Sequence, residues 1–203
     1  MMWAFMFTDI ENSTDFLRQD EQAAAQAIFN HRNVVRRCVK AHGGRVINTT
    51  GDGVLAAYPF TTVHKARPLE CAVALQSRFQ QRTDKQVDEL RLRITIHCGR
   101  AMYAEGDFIG LAVNLTQRML GLAKGGQILV TPEAMVHFPP STEMQIHDRG
   151  FHKLKGFGDA LQQVLEIQYA DAISPRSRVN RDHLRSAGQQ DTTIEHPSLA
   201  WIG

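Results

Sequence analysis

The pattern of apolar and polar positions changes period several times along the chain. Trp3 to Phe7 is a short apolar, aromatic-rich run read as a buried strand, and it passes directly into the polar stretch Thr8-Asp9-Ile10-Glu11-Asn12-Ser13-Thr14. Ala24, Ala27, Ile28, His31, Val34, Val35, Cys38 and Val39 then recur at intervals of three and four, which predicts a long amphipathic helix ending at Gly43-Gly44. Two β-prone runs, Arg45 to Thr50 and Val54 to Tyr58, flank Gly51-Asp52-Gly53 and predict a hairpin. A second helix is expected over about Val63 to Gln81, its regular part starting only at Pro68, with Ala66, Leu69, Ala72, Val73 and Phe79 inward.

The period then returns to two. Leu92, Ile94, Ile96 and Cys98 face one way along a predicted strand, Arg91, Arg93, Thr95 and His97 the other. A Gly-rich loop with Asp107 leads into a third helix, Leu111 to Leu122, closed by Gly125-Gly126. Gln127 to Val130 reads as a strand, Thr131-Pro132-Glu133 as a helix start, and Glu143 to His147 and Gln162 to Ile167 as further strands. Hairpins mixed with crossover helices predict an α+β fold, an antiparallel-rich sheet with helices packed on one face. From about residue 171 to 203 the composition shifts to Ser, Arg, Gln, Pro and Asp, so residues 1–170 are expected to form the folded domain and 171–203 a disordered tail. Its arginines, Arg176, Arg178, Arg181 and Arg185, read as a solvated segment.

Composition narrows the function classes. The chain has 203 residues, is 43% hydrophobic and 22% charged, and carries a formal charge of +2, balanced enough to exclude bulk attraction to nucleic acid or a membrane surface. No apolar run approaches a membrane span, and Met1 to Phe7 lacks a basic leader, so a cytoplasmic location is expected. Cys38, Cys71 and Cys98 form no CxxC pair and no zinc-finger spacing; they are expected to be reduced, buried thiols. His42 and His97 are expected to be structural, without metal-ligand company. An RNA-binding sheet would need exposed aromatic residues and a basic surplus that this chain lacks.

Two groups of residues carry candidate chemistry. Asp9 lies where a strand ends and Asp52 at a hairpin tip. A strand end and an adjacent tip can meet at one sheet edge, where paired carboxylates suit divalent cations and phosphate oxygens. The segment Asn12-Ser13-Thr14 can offer backbone N–H groups to a phosphate. Taken alone, Gly-Asp-Gly is more often turn chemistry and Asp or Ser before a helix more often a cap. Asn114 and Arg118, spaced i, i+4, project from one helix face and suit a ribose and a phosphate; a solvated face is the plainer alternative.

Together, Phe7-Thr8-Asp9-Ile10-Glu11-Asn12-Ser13-Thr14, Thr50-Gly51-Asp52-Gly53-Val54, and Asp107-Phe108-Ile109-Gly110 with Val113-Asn114 and Arg118 resemble the class III nucleotidyl cyclases, the family of adenylyl and guanylyl cyclases. Arg93-Ile94-Thr95-Ile96-His97-Cys98-Gly99, Gly125 to Val130 and Leu154-Lys155-Gly156 look similar too, and the resemblance runs in order over residues 3 to 168. It implies the family's ferredoxin-like, palm-type sheet. It also implies conversion of a nucleoside triphosphate, most readily ATP, to a 3′,5′-cyclic monophosphate and pyrophosphate for cyclic-nucleotide signalling. Asp9, Asp52 and the Ile10 carbonyl match the family's ligands for two Mg²⁺ or Mn²⁺ ions. Ser13, Thr14 and Arg93 match triphosphate contacts, as does Lys155. Asn114 matches the residue that orients the ribose, and Arg118 the one that stabilises charge at the α-phosphate.

The resemblance further implies a head-to-tail homodimer whose sites form between chains, with no nucleic-acid or membrane partner. Asp107 matches an adenine-reading aspartate, whereas Asn48 stands where adenylyl members commonly carry a lysine. Cyclisation of guanine or pyrimidine nucleotides, the latter as in phage defence, and a catalytically silent dimerisation or sensing module are the alternatives.

Overall fold

The computed structural model describes residues 1–61, 66–80 and 91–169. The expected tail lies outside the described residues, as do the expected start and end of the second helix at Val63 and Gln81. In chain order the elements are β1 (Met2–Ile10), α1 (Ser13–Gln19), α2 (Glu21–Ala41), β2 (Arg45–Thr50), β3 (Gly53–Pro59), α3 (Pro68–Gln80) and β4 (Leu92–Arg100). There follow β5 (Met102–Ala104), β6 (Asp107–Ile109), α4 (Leu111–Met119), β7 (Ile128–Val130), α5 (Pro132–His137), β8 (Met144–Lys153) and β9 (Leu161–Tyr169).

One sheet runs in the order β2-β3-β1-β4-β7-β9-β8, and β5 pairs with β6 separately. Within it, β1, α1–α2, β2, β3, α3 and β4 follow the βαββαβ order, with β1 inserted between β3 and β4 and antiparallel to both. Only the β4–β7 pairing is parallel among the described strands.

The elements form where their periods predict. In α2 the Asp20 side chain caps the Ala23 N–H at 2.9 Å, and Ala24, Ala27, His31, Val35, Cys38 and Val39 turn inward. Gly43, at φ +78, lets the chain leave the helix in a left-handed conformation. Pro68 opens α3 and Pro132 opens α5, as expected of proline in a first turn.

The main core lies between one sheet face and α2, α3 and α5: Ala4, Met6, Val54, Ala56, Ile94, Ile96 and Val130 pack on Val35, Val39, Leu69, Leu75 and Ala134. Each such large apolar side chain contributes about 1.5–3 kcal/mol by leaving water.

The α+β class and the antiparallel-rich sheet are as expected, and the helices extend beyond the single face expected for them. α4 covers the other face, where Phe5, Leu55 and Ala57 meet Phe108, Ala112 and Val113. Thr95 and His97, on the side of β4 read as polar, are thereby buried. Thr95 Oγ1 donates to the Thr116 carbonyl at 2.7 Å, and His97 Nδ1 lies 2.8 Å from Thr131 Oγ1, so both polar side chains are satisfied inside. Gly99 permits the close approach, since a Cβ there would stand 2.6 Å from Ala112 Cβ.

Other elements depart from their predicted bounds. The first strand continues through Thr8, Asp9 and Ile10, because β4 pairs with it to the Ile10–Leu92 rung. The loop around Asp107 is a short hairpin. β8 runs on to Lys153 through a bulge at Asp148–Phe151 containing Gly150 at φ +81. All three cysteines are free and buried, as expected. His42, however, is not without thiol company, as Cys38 and Cys71 lie beside it.

Candidate active site

Asp9 and Asp52 converge although 43 positions apart, because the β1–β3 register pairs Thr8 with Val54 and so brings the hairpin tip to the end of β1. The Ile10 N–H donates to Asp52 Oδ2 at 2.9 Å. The two carboxyl groups interact electrostatically with each other, and the Ser13 hydroxyl favours ionised Asp52. Arg93, opposite Asp9 on β4, donates through Nη2 to Asp9 Oδ2.

Burial, and then the neighbouring Asp52, push the Asp9 carboxyl up to about 6 against the pull of Arg93. Burial opposes ionisation of Asp52 as well, but hydrogen bonds from Asp9, the Ile10 amide and Ser13 outweigh it and hold Asp52 below its usual range. The pair thus concentrates negative charge at a half-buried point with one proton favoured on Asp9, a place where a cation relieves the repulsion. Paired carboxylates are donors of the hard-oxygen type that Mg²⁺ or Mn²⁺ accepts.

Asn12, in the left-handed region at φ 58, turns the chain from β1 into α1, and its carbonyl accepts from the Asp15 and Phe16 N–H groups. Ser13, which interacts with Asp52, and Thr14 open α1. Glu11, which the sequence pattern gives no separate role, ties in the Gly125 turn: its Oε1 accepts from the Gly125 N–H at 2.9 Å. The pattern gave no signal for this contact, because it joins positions far apart in the chain.

The remaining candidates stand on other elements. Asn114 and Arg118 are exposed on α4, and Lys155 is exposed between β8 and β9. Among the described residues, no hydrogen bond or ion pair joins these three to Asp9, Asp52 or Arg93.

Asn48 is exposed on β2, just after a bulge that shifts the register between Val46 and Asn48; the bulge pairs Asn48 with Leu55, on the α4 side of the sheet. Its Oδ1 accepts from the Thr49 N–H at 2.7 Å. Asp107, on β6, accepts likewise from the Phe108 N–H at 2.7 Å. The β5–β6 hairpin is tied to β2 by Arg45, whose guanidinium lies 4.3 Å from the Tyr103 ring centroid and within 5.4 Å of those of Phe108 and Trp3.

Residues 3–167 match the family described as the adenylate and guanylate cyclase catalytic domain. The chain belongs to that family. Among curated relatives of this cyclase domain, an adenylate cyclase of Podospora anserina is 27% identical over 178 residues, covering 73% of this chain and 8% of that protein. Putative adenylate cyclase 3 of Rhizobium meliloti is 26% identical over 156 residues, 75% of this chain and 26% of that protein. The cyclase domain thus spans only a small part of the length of either. Among solved structures, an adenylate cyclase from Trypanosoma brucei in its monomeric state superposes with a TM-score of 0.68 at 22% identity, covering 83% of this chain and 88% of the other. That likeness concerns the fold. No helix among the described residues is long and apolar enough to cross a membrane.

Proposed function

We propose that this cyclase domain converts a nucleoside triphosphate, ATP in first place, to the 3′,5′-cyclic monophosphate and pyrophosphate, at sites completed by two copies of the chain. The observation that carries the reading is the convergence of Asp9 and Asp52 beside Arg93 and Ser13. Family membership over residues 3–167 and relatives named adenylate cyclase support it.

Asp9, Asp52 and the Ile10 carbonyl would hold two Mg²⁺ or Mn²⁺ ions, which supply charge neutralisation and activation of the ribose 3′-hydroxyl when bound. Phosphoryl transfer asks mainly for positioning, so no protein nucleophile is needed. Arg93, Lys155 and the start of α1 at Ser13 and Thr14 bind and orient the triphosphate. Asn114 fixes the ribose, and Arg118 meets the charge that grows on the α-phosphate oxygens.

That no hydrogen bond or ion pair joins Asn114 or Arg118 to the carboxylates within one chain fits a head-to-tail homodimer in which each chain lends a different half. The exposure of Met102, Ile109 and Leu111, each more than 60% accessible, supplies an apolar surface for that contact. Asp107 would accept from an adenine amino group. Asn48, shorter and uncharged where a lysine is usual, favours a second reading: the same chemistry on guanine or a pyrimidine. The proposed setting is cytoplasmic cyclic-nucleotide signalling.

The test is purified protein with Mn²⁺ or Mg²⁺ and each of the four ribonucleoside triphosphates, products separated by chromatography. One cyclic product with release of pyrophosphate names the base. No cyclic product from any of the four would leave a silent module in place of an enzyme.

A further inference from the structure

Away from the carboxylates, three soft donor atoms meet where α2 ends against α3. Cys38 Sγ stands 3.5 Å from Cys71 Sγ and 3.7 Å from His42 Nδ1, and the three atoms lie within 4.8 Å of one another. Cys38 and His42 are i, i+4 on α2, one turn apart on a single face, and Cys71 comes from α3. The cluster lies beside Tyr58, which the register places opposite Ala4, well along β1 from Asp9. Around a four-coordinate ion with bonds of ~2.0–2.3 Å to nitrogen and sulfur, donor atoms stand roughly 3.4–3.8 Å apart. The two closest pairs here already have that spacing without an ion.

We propose that Cys38, His42 and Cys71 form a binding site for a thiophilic divalent ion, Zn²⁺, separate from the carboxylate site. Charge selects the valence: two thiolates cancel the +2 of the ion, so the occupied site is neutral, which its buried thiols require. Binding releases both thiol protons and moves the imidazole proton from Nδ1, where it can donate to the Cys38 carbonyl 2.8 Å away, to Nε2. His42 is half-buried at the helix end and gives the ion its way in. The fourth position is left to water on that side. The bound ion would pin α2 to α3 over the sheet face opposite α4.

The experiment adds Co²⁺, as a spectroscopic stand-in for Zn²⁺, to the reduced full chain. The expected result is a thiolate-to-cobalt charge-transfer band that saturates at one ion per chain, with two protons released to an indicator dye. Zn²⁺ should abolish the band and raise the melting temperature. The band should survive Asp52→Asn, which leaves the thiols untouched, and vanish in Cys71→Ser.

His42→Ala, at the half-buried helix end, guards against misfolding of the cysteine variant and should weaken Co²⁺ binding at least tenfold with unchanged far-UV circular dichroism. Absence of the band while the thiols are free, or its persistence in Cys71→Ser, overturns the site. So does a Cys38–Cys71 disulfide that, once reduced, takes up no Co²⁺.

Discussion

The Ile10 amide donates to Asp52 Oδ2 at 2.9 Å, joining the end of β1 to the tip of the β2–β3 hairpin. This one bond fixes the hairpin tip against the strand that carries Asp9. It also separates this bond from the cation-holding role proposed for Asp52, because an acceptor is enough for the bond whereas a cation needs the charge. Asp52→Asn keeps an acceptor and should retain stability within about 1 kcal/mol, while cyclase activity falls by two orders of magnitude or more. Asp52→Ala orphans the Ile10 amide and should cost a further ~1–3 kcal/mol. Denaturant titration and product chromatography on the two variants separate the effects.

The proposed division of the site between chains makes a prediction that needs no structure of a dimer. Asp9→Asn alone and Arg118→Ala alone should each be inactive. A mixture of the two forms some dimers with one intact site, and equal amounts should recover about a quarter of wild-type activity if association is random. A mixture as inactive as its parents would count against the shared site.

In the proposed reading, base preference turns on β2. The bulge before Asn48 pairs it with Leu55 on the α4 side of the sheet, the side on which α4 lies. Asn48→Lys should therefore keep or raise selectivity for ATP over the other triphosphates, by an amount on the order of 1–3 kcal/mol for one base contact. Competition assays with paired nucleotides measure it. A shift away from ATP would remove Asn48 from the base pocket.

The seat of α4 depends on the missing side chain at Gly99. A methyl group there would meet Ala112 Cβ at 2.6 Å, with His97 Nε2 at 3.1 Å behind it. Gly99→Ala should destabilise the domain by ~1–3 kcal/mol through overpacking. It should also lower kcat, since α4 carries Asn114 and Arg118. Replacing Ala112 with Gly in the same chain should restore part of both, as melting curves and turnover would reveal.

His97 provides a pH test. Burial holds its imidazole below the ordinary histidine range, against the pull of Glu133, whose carboxylate is 3.9 Å away, and Thr131 Oγ1 lies 2.8 Å from its Nδ1. Because the folded value is depressed, the stability that goes with neutral His97 is complete above about pH 6.5 and is lost as the pH falls towards the folded value. His97→Gln should flatten the fall in melting temperature between pH 7 and pH 5. An equally steep fall in the variant would exclude His97 as its source.

Much of this was legible from residue pattern. The inward stripe of α2, the hairpin around Gly51-Asp52-Gly53 and the proline starts of α3 and α5 all follow from local chemistry, so their period or turn residues report them. What could not be read depends on partners distant in the chain. Thr95 and His97 look solvent-facing by type, and only their bonds to Thr116 and Thr131 make burial tolerable. Glu11 is one more surface acid until Gly125 meets it. Cys38 and His42 carry no zinc-finger signature, because their third donor arrives from another helix. The carboxylate pair lies between these cases: the residue types were suggestive, but their meeting required the β1–β3 register.

In the proposed homodimer, Arg45, held among Trp3, Tyr103 and Phe108, would shape how copies of the chain meet. By bracing the hairpin against β2 it would hold Met102 and Ile109, with Leu111 following at the start of α4, as a fixed ridge. A partner settling there need not first quench the motion of that ridge, so the entropy lost on association shrinks, and affinity gains from a residue that need never touch the incoming molecule.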